Sequence, residues 1–199
     1  MARTDPLSDL QFHDPDLFST LSGVERETLE FKRQWLGKEV RIKRGPYWQV
    51  VQTITAFAND FYGNGGGYIV IGIDEKEKWP SSIVHIETKN VDRIRMEIIG
   101  GCEANIKPKY IPKIYSHTIN VKGKDRNVLV IWAFKSNDRP HRCRDMENGV
   151  FHYYIRQGTQ TKKVVEEREI RQLMQFLDSK VPFDDAQSWA YDSGKIFNL

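Results

Sequence analysis

Hydrophobic and polar positions follow two periods along this chain. In residues 27–33 (ETLEFKR), Leu29 and Phe31 would face a core while Thr28, Glu30 and Lys32 share the other face, the alternation of a short strand. The basic stretch 36–45 breaks the pattern and reads as a loop. Pro46 is placed to open a helix, and apolar positions 47, 50, 51, 54, 57, 58 and 61 then follow a helical period. Residues 59–67 (NDFYGNGGG) end that helix, because four glycines do not sustain one. Residues 68–73 (YIVIGI) are nearly all apolar, the mark of a strand buried on both faces, with Asp74 at its end. Asn90 is placed to cap a helix that aligns Val91, Ile94, Ile98 and Cys102, and Pro108 and Pro112 close that region. Residues 113–121 and 126–134 read as a hairpin around Lys122-Gly123-Lys124-Asp125. Residues 150–156 (VFHYYIR) read as a further strand. Residues 164–177 read as an amphipathic helix carrying Ile170, Leu173, Met174 and Leu177 on one side.

These elements fall in one domain, residues 23–178. Residues 1–22 read as a leader, with Pro6, Pro15, four aspartates and a small apolar patch at Leu17, Phe18 and Leu21. Residues 179–199 read as a tail, whose Trp189, Tyr191 and Phe197 suit a segment covering another domain or a second subunit. A length of 199 residues and an apolar share of 39% suffice for one core. No run approaches the roughly 18 apolar residues of a membrane helix. The first residues lack a secretory apolar stretch. Cys102 and Cys143 form no CxxC pair, which excludes a four-cysteine zinc site and a disulfide scaffold and makes the cytoplasm the expected compartment.

The net charge of +3 conceals a pattern. Residues 31–50 hold six bases (Lys32, Arg33, Lys38, Arg41, Lys43, Arg44) against Glu39, and residues 135–165 hold seven bases against three acids. Residues 1–30 and 166–199 are acidic. Two basic blocks suit a polyanionic partner, since each neutralised phosphate releases counterions; the competing reading is a solvated surface.

Three carboxylates, Glu25, Glu27 and Glu30, lie within six residues beside the first basic block. Two carboxylates about 4 Å apart repel by several kcal/mol at an effective dielectric of about 20. Such a pair needs a cation, a proton or water, and Mg²⁺ suits these oxygens while also holding a phosphodiester. Glu25 and Glu30 would lie on opposite faces of one strand, or about 140° apart on one helix. Joint use therefore places Glu25 on a turn and Glu30 on the strand. Asp74 is the third candidate, sharing a strand face with Tyr68, Val70 and Gly72; the competing readings are an acidic turn and a surface strand cap. The glycine cluster 63–67 follows a helix and precedes a strand, the reverse of a Walker loop, and a helix-to-strand connection explains it. No HExxH, GxSxG or deaminase pattern occurs. On the 150–156 strand, His152 and Tyr154 share a face with Arg156 while Phe151 and Tyr153 face the core. Tyr154 and Arg156 are thus candidates to stack on or clamp nucleic acid.

Residues Glu25 to Lys32 (ERETLEFK) resemble the E-x4-EFK opening of the Schlafen AlbA-like domain. Ala56-Phe57-Ala58-Asn59, the glycines and residues 68–74 (YIVIGID) resemble its central block. Arg139-Pro140-His141 and residues 154–161 (YIRQGTQT) resemble its closing elements. The likeness covers residues 25–176. It implies an α+β fold, a single mixed-sheet domain with flanking helices, and a nucleic-acid-facing role. Schlafen proteins proper are metal-dependent endoribonucleases that cut structured RNA such as transfer RNA. Their three acids match Glu25, Glu30 and Asp74, and the lysine of EFK matches Lys32. The resemblance implies that these acids bind Mg²⁺ or Mn²⁺, that Lys32 holds a phosphate oxygen, and that a homodimer restores the family's two-lobed cleft. Arg33, Lys38, Arg41, Lys43, Arg44, Arg142, Arg144, Tyr154 and Arg156 are the expected nucleic-acid contacts. The rival expectation is a non-catalytic DNA-binding domain, as in regulator-like relatives. The glycine stretch 60–67 is longer than the family's usual insert.

Overall fold

The computed structural model describes residues 27–35, 46–74 and 83–178. Among them run β1 (Leu29–Lys32), α1 (Pro46–Asn59), β2 (Gly66–Ile71), α2 (Thr88–Asn105) and β3 (Ile106–Lys107). They are followed by β4 (Lys113–Val121), β5 (Lys124–Phe134), β6 (Arg142–Arg144), β7 (Phe151–Gln157), β8 (Gln160–Val164) and α3 (Glu167–Asp178). The α+β class holds. The strands divide between two four-stranded sheets, of which the first is mixed. The first has the order β1-β2-β5-β4, with β1 parallel to β2 and the other pairs antiparallel. The second has the order β3-β6-β7-β8 and is antiparallel throughout.

Two sheets are needed because α1 is buried nearly all round. Val50, Val51, Ile54, Ala56, Phe57 and Ala58 are all buried, as are Thr53, Thr55 and Asn59, and a helix buried on several sides needs cover on more than one. Ile69, Ile71, Leu129 and Ile131 of the first sheet cover it, together with Cys143 and Tyr154 of the second. α2 adds Val91, Ile94, Ile98 and Cys102 to the same cluster. Its N-cap is Glu87 rather than Asn90, whose side-chain amide instead donates back to Glu87 Oε2 at 3.1 Å. The opposite face of the first sheet carries a second cluster that includes Leu29, Phe31, Val70, Ile73 and Val130. The alternation expected along β1 is therefore present, but both of its faces are covered, and Glu30 is buried with the rest. α3 seals the outer side of the second sheet through Ile155, Val164 and Leu173, joined by Phe61. Among the described residues no helix is long and apolar enough to cross a membrane.

Candidate functional site

Glu30 lies on β1 and points toward α1. Burial of a carboxylate is costly unless cations and donors meet it, and here both oxygens are met. Lys32 Nζ lies 2.6 Å from Oε1. Arg156 Nη1, from β7 in the other sheet, lies 2.6 Å from Oε2. Thr53 Oγ1 on α1 donates to the same oxygen at 3.2 Å. Arg156 is itself 5% exposed. Its Nη1 also donates to Thr161 Oγ1 at 2.9 Å, its Nε donates to the Glu27 carbonyl at 3.3 Å, and its guanidinium lies 5.1 Å from the Phe57 ring centre. The Glu30–Arg156 pair thus ties the two sheets together across α1.

Asp74 reaches this region by a device that strict alternation does not show. The N–H groups of both Gly72 and Ile73 donate to the Lys32 carbonyl, at 2.8 and 3.2 Å. Two residues opposite one make a bulge, and Gly72 adopts φ +105°, which glycine tolerates. Ile73 consequently packs beside Val70 and Phe31. Asp74 follows this bulge and lies past the end of β2, so the alternation of the uninterrupted strand no longer fixes its face. Its Oδ2 lies 2.8 Å from Arg33 Nε. The register pairs Glu30 with Ile69.

The fit to a metal ion follows from these contacts. Glu30 already carries two cationic partners and Asp74 carries another, and no group of three His, Cys, Asp or Glu side chains gathers among the described residues. Glu30 is thus paired with Lys32 and Arg156, and Asp74 with Arg33. Glu25, the third expected acid, lies outside the described residues, as do Lys38, Arg41, Lys43 and Arg44.

The second basic block divides by sheet face. Tyr154 and Arg156 do not stand at the surface: both are buried against α1, with Gln52 Nε2 donating to Tyr154 Oη at 3.2 Å. The shared face of His152, Tyr154 and Arg156 is the inner one, because Arg156 finds a buried acid there. Arg142 and Arg144 lie on the opposite face and are exposed. The register sets Lys107 beside Arg142 and Arg144 beside Phe151. Lys107 Nζ lies 4.7 Å from the Phe151 ring centre, a cation–π contact. Lys107, Arg142, Arg144 and Phe151 therefore form one basic-aromatic patch. Periodicity misses Lys107, because β3 is two residues long, and it assigns Phe151 to the core, whereas β7 turns Phe151 to the face of the exposed Arg144.

The glycine connection is built for packing. A Cβ at Gly66 would lie 2.3 Å from the Ala133 carbonyl oxygen. The Gly65 N–H donates to Asp60 Oδ2 at 2.9 Å, and the N–H groups of Asn64 and Gly66 also turn to that carboxylate. Asp60 thus fills the place an external phosphate would take. Its pKa is raised by burial, against the opposing pull of those N–H groups and of Lys135.

A family model described as Schlafen, AlbA_2 matches residues 25–165. The chain belongs to this family. The Schlafen AlbA_2 match runs from Glu25 through β8, so it takes in both sheets and the Glu30–Arg156 tie. It gives the chain a nucleic-acid-related role. No curated protein matches the chain. Among solved structures the chain is similar to the DIP2311 protein from Corynebacterium diphtheriae, at 16% identity and a TM-score of 0.47. That likeness covers 80% of this chain and 32% of the other, so the chain spans about a third of that protein's length. It is also similar to the N-terminal domain of a protein from Nitrosomonas europaea described as related to the ATP-dependent DNA helicase RecG. There the identity is 20% and the TM-score 0.45, over 77% of this chain and 94% of the other.

Proposed function

We propose that this Schlafen AlbA_2 domain binds nucleic acid by its phosphate backbone through the outer face of β3, β6 and β7. The observation that carries the reading is the placement of Lys107, Arg142 and Arg144 on one sheet face beside Phe151. Basic side chains on a sheet hold phosphates and set orientation without reading bases, and an aromatic ring among them offers stacking to an unpaired base. Structured RNA with unpaired segments is the favoured partner, since its loops present splayed bases on which the Phe151 ring stacks.

A second reading, metal-dependent cleavage of RNA, is favoured by the ion pair with Arg33 that sets Asp74 beside the end of β1, the strand that carries Glu30 and Lys32. It requires Glu25, and it requires Lys32 to leave Glu30. One experiment separates the two. Transfer RNA and single- and double-stranded DNA are incubated with the protein in Mn²⁺, in Mg²⁺ and in EDTA, with binding followed by anisotropy and integrity by gel. The binding reading predicts salt-sensitive retention of RNA with intact strands in every condition. Cutting that stops in EDTA and in Asp74→Ala, with binding kept, selects the second reading. Absence of binding at low salt contradicts both.

A further inference from the structure

Asn59 closes α1, and His141 lies just before β6. They are 82 positions apart in the chain, and both are fully buried. The Asn59 side chain meets His141 as a neighbouring strand would. Its Oδ1 accepts from the His141 N–H at 2.6 Å, and its Nδ2 donates to the His141 carbonyl at 3.0 Å. The same Nδ2 reaches the Tyr154 carbonyl on β7 at 3.4 Å. A buried amide whose oxygen and nitrogen both find main-chain partners holds those partners in place. The main chain of His141 is thus fixed to the end of α1.

The His141 ring bonds in another direction. Its Nδ1 lies 2.8 Å from the Pro108 carbonyl oxygen. A carbonyl only accepts, so Nδ1 carries the proton. Burial holds the His141 pKa below the ordinary histidine value, against the opposing pull of that carbonyl and of Asp138. The ring is therefore neutral, and Nε2, which has no hydrogen-bond partner among the described residues, carries no proton. Tyr110 packs against the ring with centroids 5.4 Å apart, and its own hydroxyl donates to the Phe134 carbonyl at 2.7 Å.

The bond matters because of where Pro108 lies. β3 and β6 pair through two rungs, Ile106 with Cys143 and Lys107 with Arg142. The next rung would set Pro108 opposite His141, but proline has no N–H to give to a ladder. So short a ladder holds its strand weakly. The His141 ring supplies the missing rung, one residue beyond Lys107 on one strand and one residue before Arg142 on the other. We infer that His141 is a positioning residue for nucleic-acid binding: its Nδ1–H holds the Pro108 carbonyl and so fixes Lys107 beside Arg142 in the phosphate-binding patch. The inference rests on the nucleic-acid reading and adds to it a residue too deeply buried to touch a phosphate itself.

Transfer RNA binding by the full chain, followed by anisotropy over a salt series, tests this in Lys107→Gln, His141→Leu, their double variant and His141→Asn, with thermal melting to confirm folding. Lys107→Gln and His141→Leu should each lower affinity about tenfold at about 50 mM salt and reduce the salt slope by about 0.7–0.9, the share of one phosphate. The double variant should bind no more weakly than either single one, because the ring acts through Lys107. His141→Asn should bind nearly as the wild type does, since its Nδ2 donates from close to the place of Nδ1, although asparagine packs against Tyr110 less well than leucine. A role in packing alone predicts the opposite order of the two His141 variants. In the wild type, a two-bond proton–nitrogen correlation spectrum should show His141 as the Nδ1–H tautomer, a result that does not depend on any variant folding. The inference is overturned by an Nε2–H tautomer, by wild-type binding in His141→Leu, or by losses that multiply in the double variant. If Lys107→Gln binds normally while Arg142→Glu/Arg144→Glu does not, the inference fails and the nucleic-acid reading survives. If the wild type binds no RNA at low salt, both fall.

Discussion

Glu30 is buried and meets two cations and a threonine hydroxyl, and this is a structural commitment as much as a chemical one. Removing one partner of a buried ion pair typically costs about 3–5 kcal/mol, because the other charge is left behind. Arg156→Met should therefore lower the urea midpoint strongly at unchanged m-value. Glu30→Gln should cost less than Arg156→Met, since the amide oxygen still accepts from Arg156. The double variant should lose less than the sum of the single losses, as expected for coupled groups. Asp145 offers a pH test. Burial pushes its pKa up, but Lys163 at 2.6 Å and the Glu147 N–H at 2.9 Å outweigh that and hold it below the usual carboxylate value. A folded pKa below the unfolded one stabilises fully above the unfolded value of about 3.9 and loses that stabilisation as pH falls through the folded value. In Lys163→Met the deficit relative to wild type should thus be largest near neutrality and shrink on acidification, as read from denaturation midpoints across the acid range.

At the scale of elements, the bulge after β2 turns Ile73 into the second core cluster. A side chain at Gly72 must accept φ +105° and a Cβ 2.9 Å from the Val84 carbonyl oxygen. Gly72→Val should cost about 1–3 kcal/mol by backbone strain, measured by thermal denaturation, and should release the Asp74–Arg33 contact. The bulge also shows where the sequence was legible. Residues 68–73 announce a buried strand because every position is apolar, and α1 announces itself by period and by Pro46. A bulge alters side-chain parity without altering composition, so the turn of Ile73 into the second cluster carries no signal in the sequence. Arg156 was read as outward because a guanidinium is ordinarily exposed, and its partner Glu30 lies 126 positions away. β3, β6 and β8 are too short or too polar for a period to declare them, and with them the second sheet and Lys107 stayed hidden. Arg142 and Arg144 were legible as a charge cluster, and their shared face follows from the two-residue strand repeat.

Across the whole molecule, the α1 helix lies between two sheets, and each sheet turns a different chemistry outward. One carries the Lys107–Arg142–Arg144 patch with Phe151; beside the other lies a cavity lined by Tyr68, Trp132, Phe134 and Lys113. A homodimer remains a proposal taken from the family's two-lobed core; light scattering should give twice the chain mass of 23.3 kDa. A monomer at all concentrations would leave the patch to act alone. The central claim, that the β3–β6–β7 face holds phosphates, is tested most directly by the salt dependence of RNA binding in the wild type and in Arg142→Glu/Arg144→Glu. Each phosphate contact contributes about 0.7–0.9 to the slope of log K against log salt. The account predicts a steep wild-type slope that falls by about 1.4–1.8 in the folded double variant, with weaker affinity at every salt concentration. An unchanged slope and affinity in that variant would contradict it.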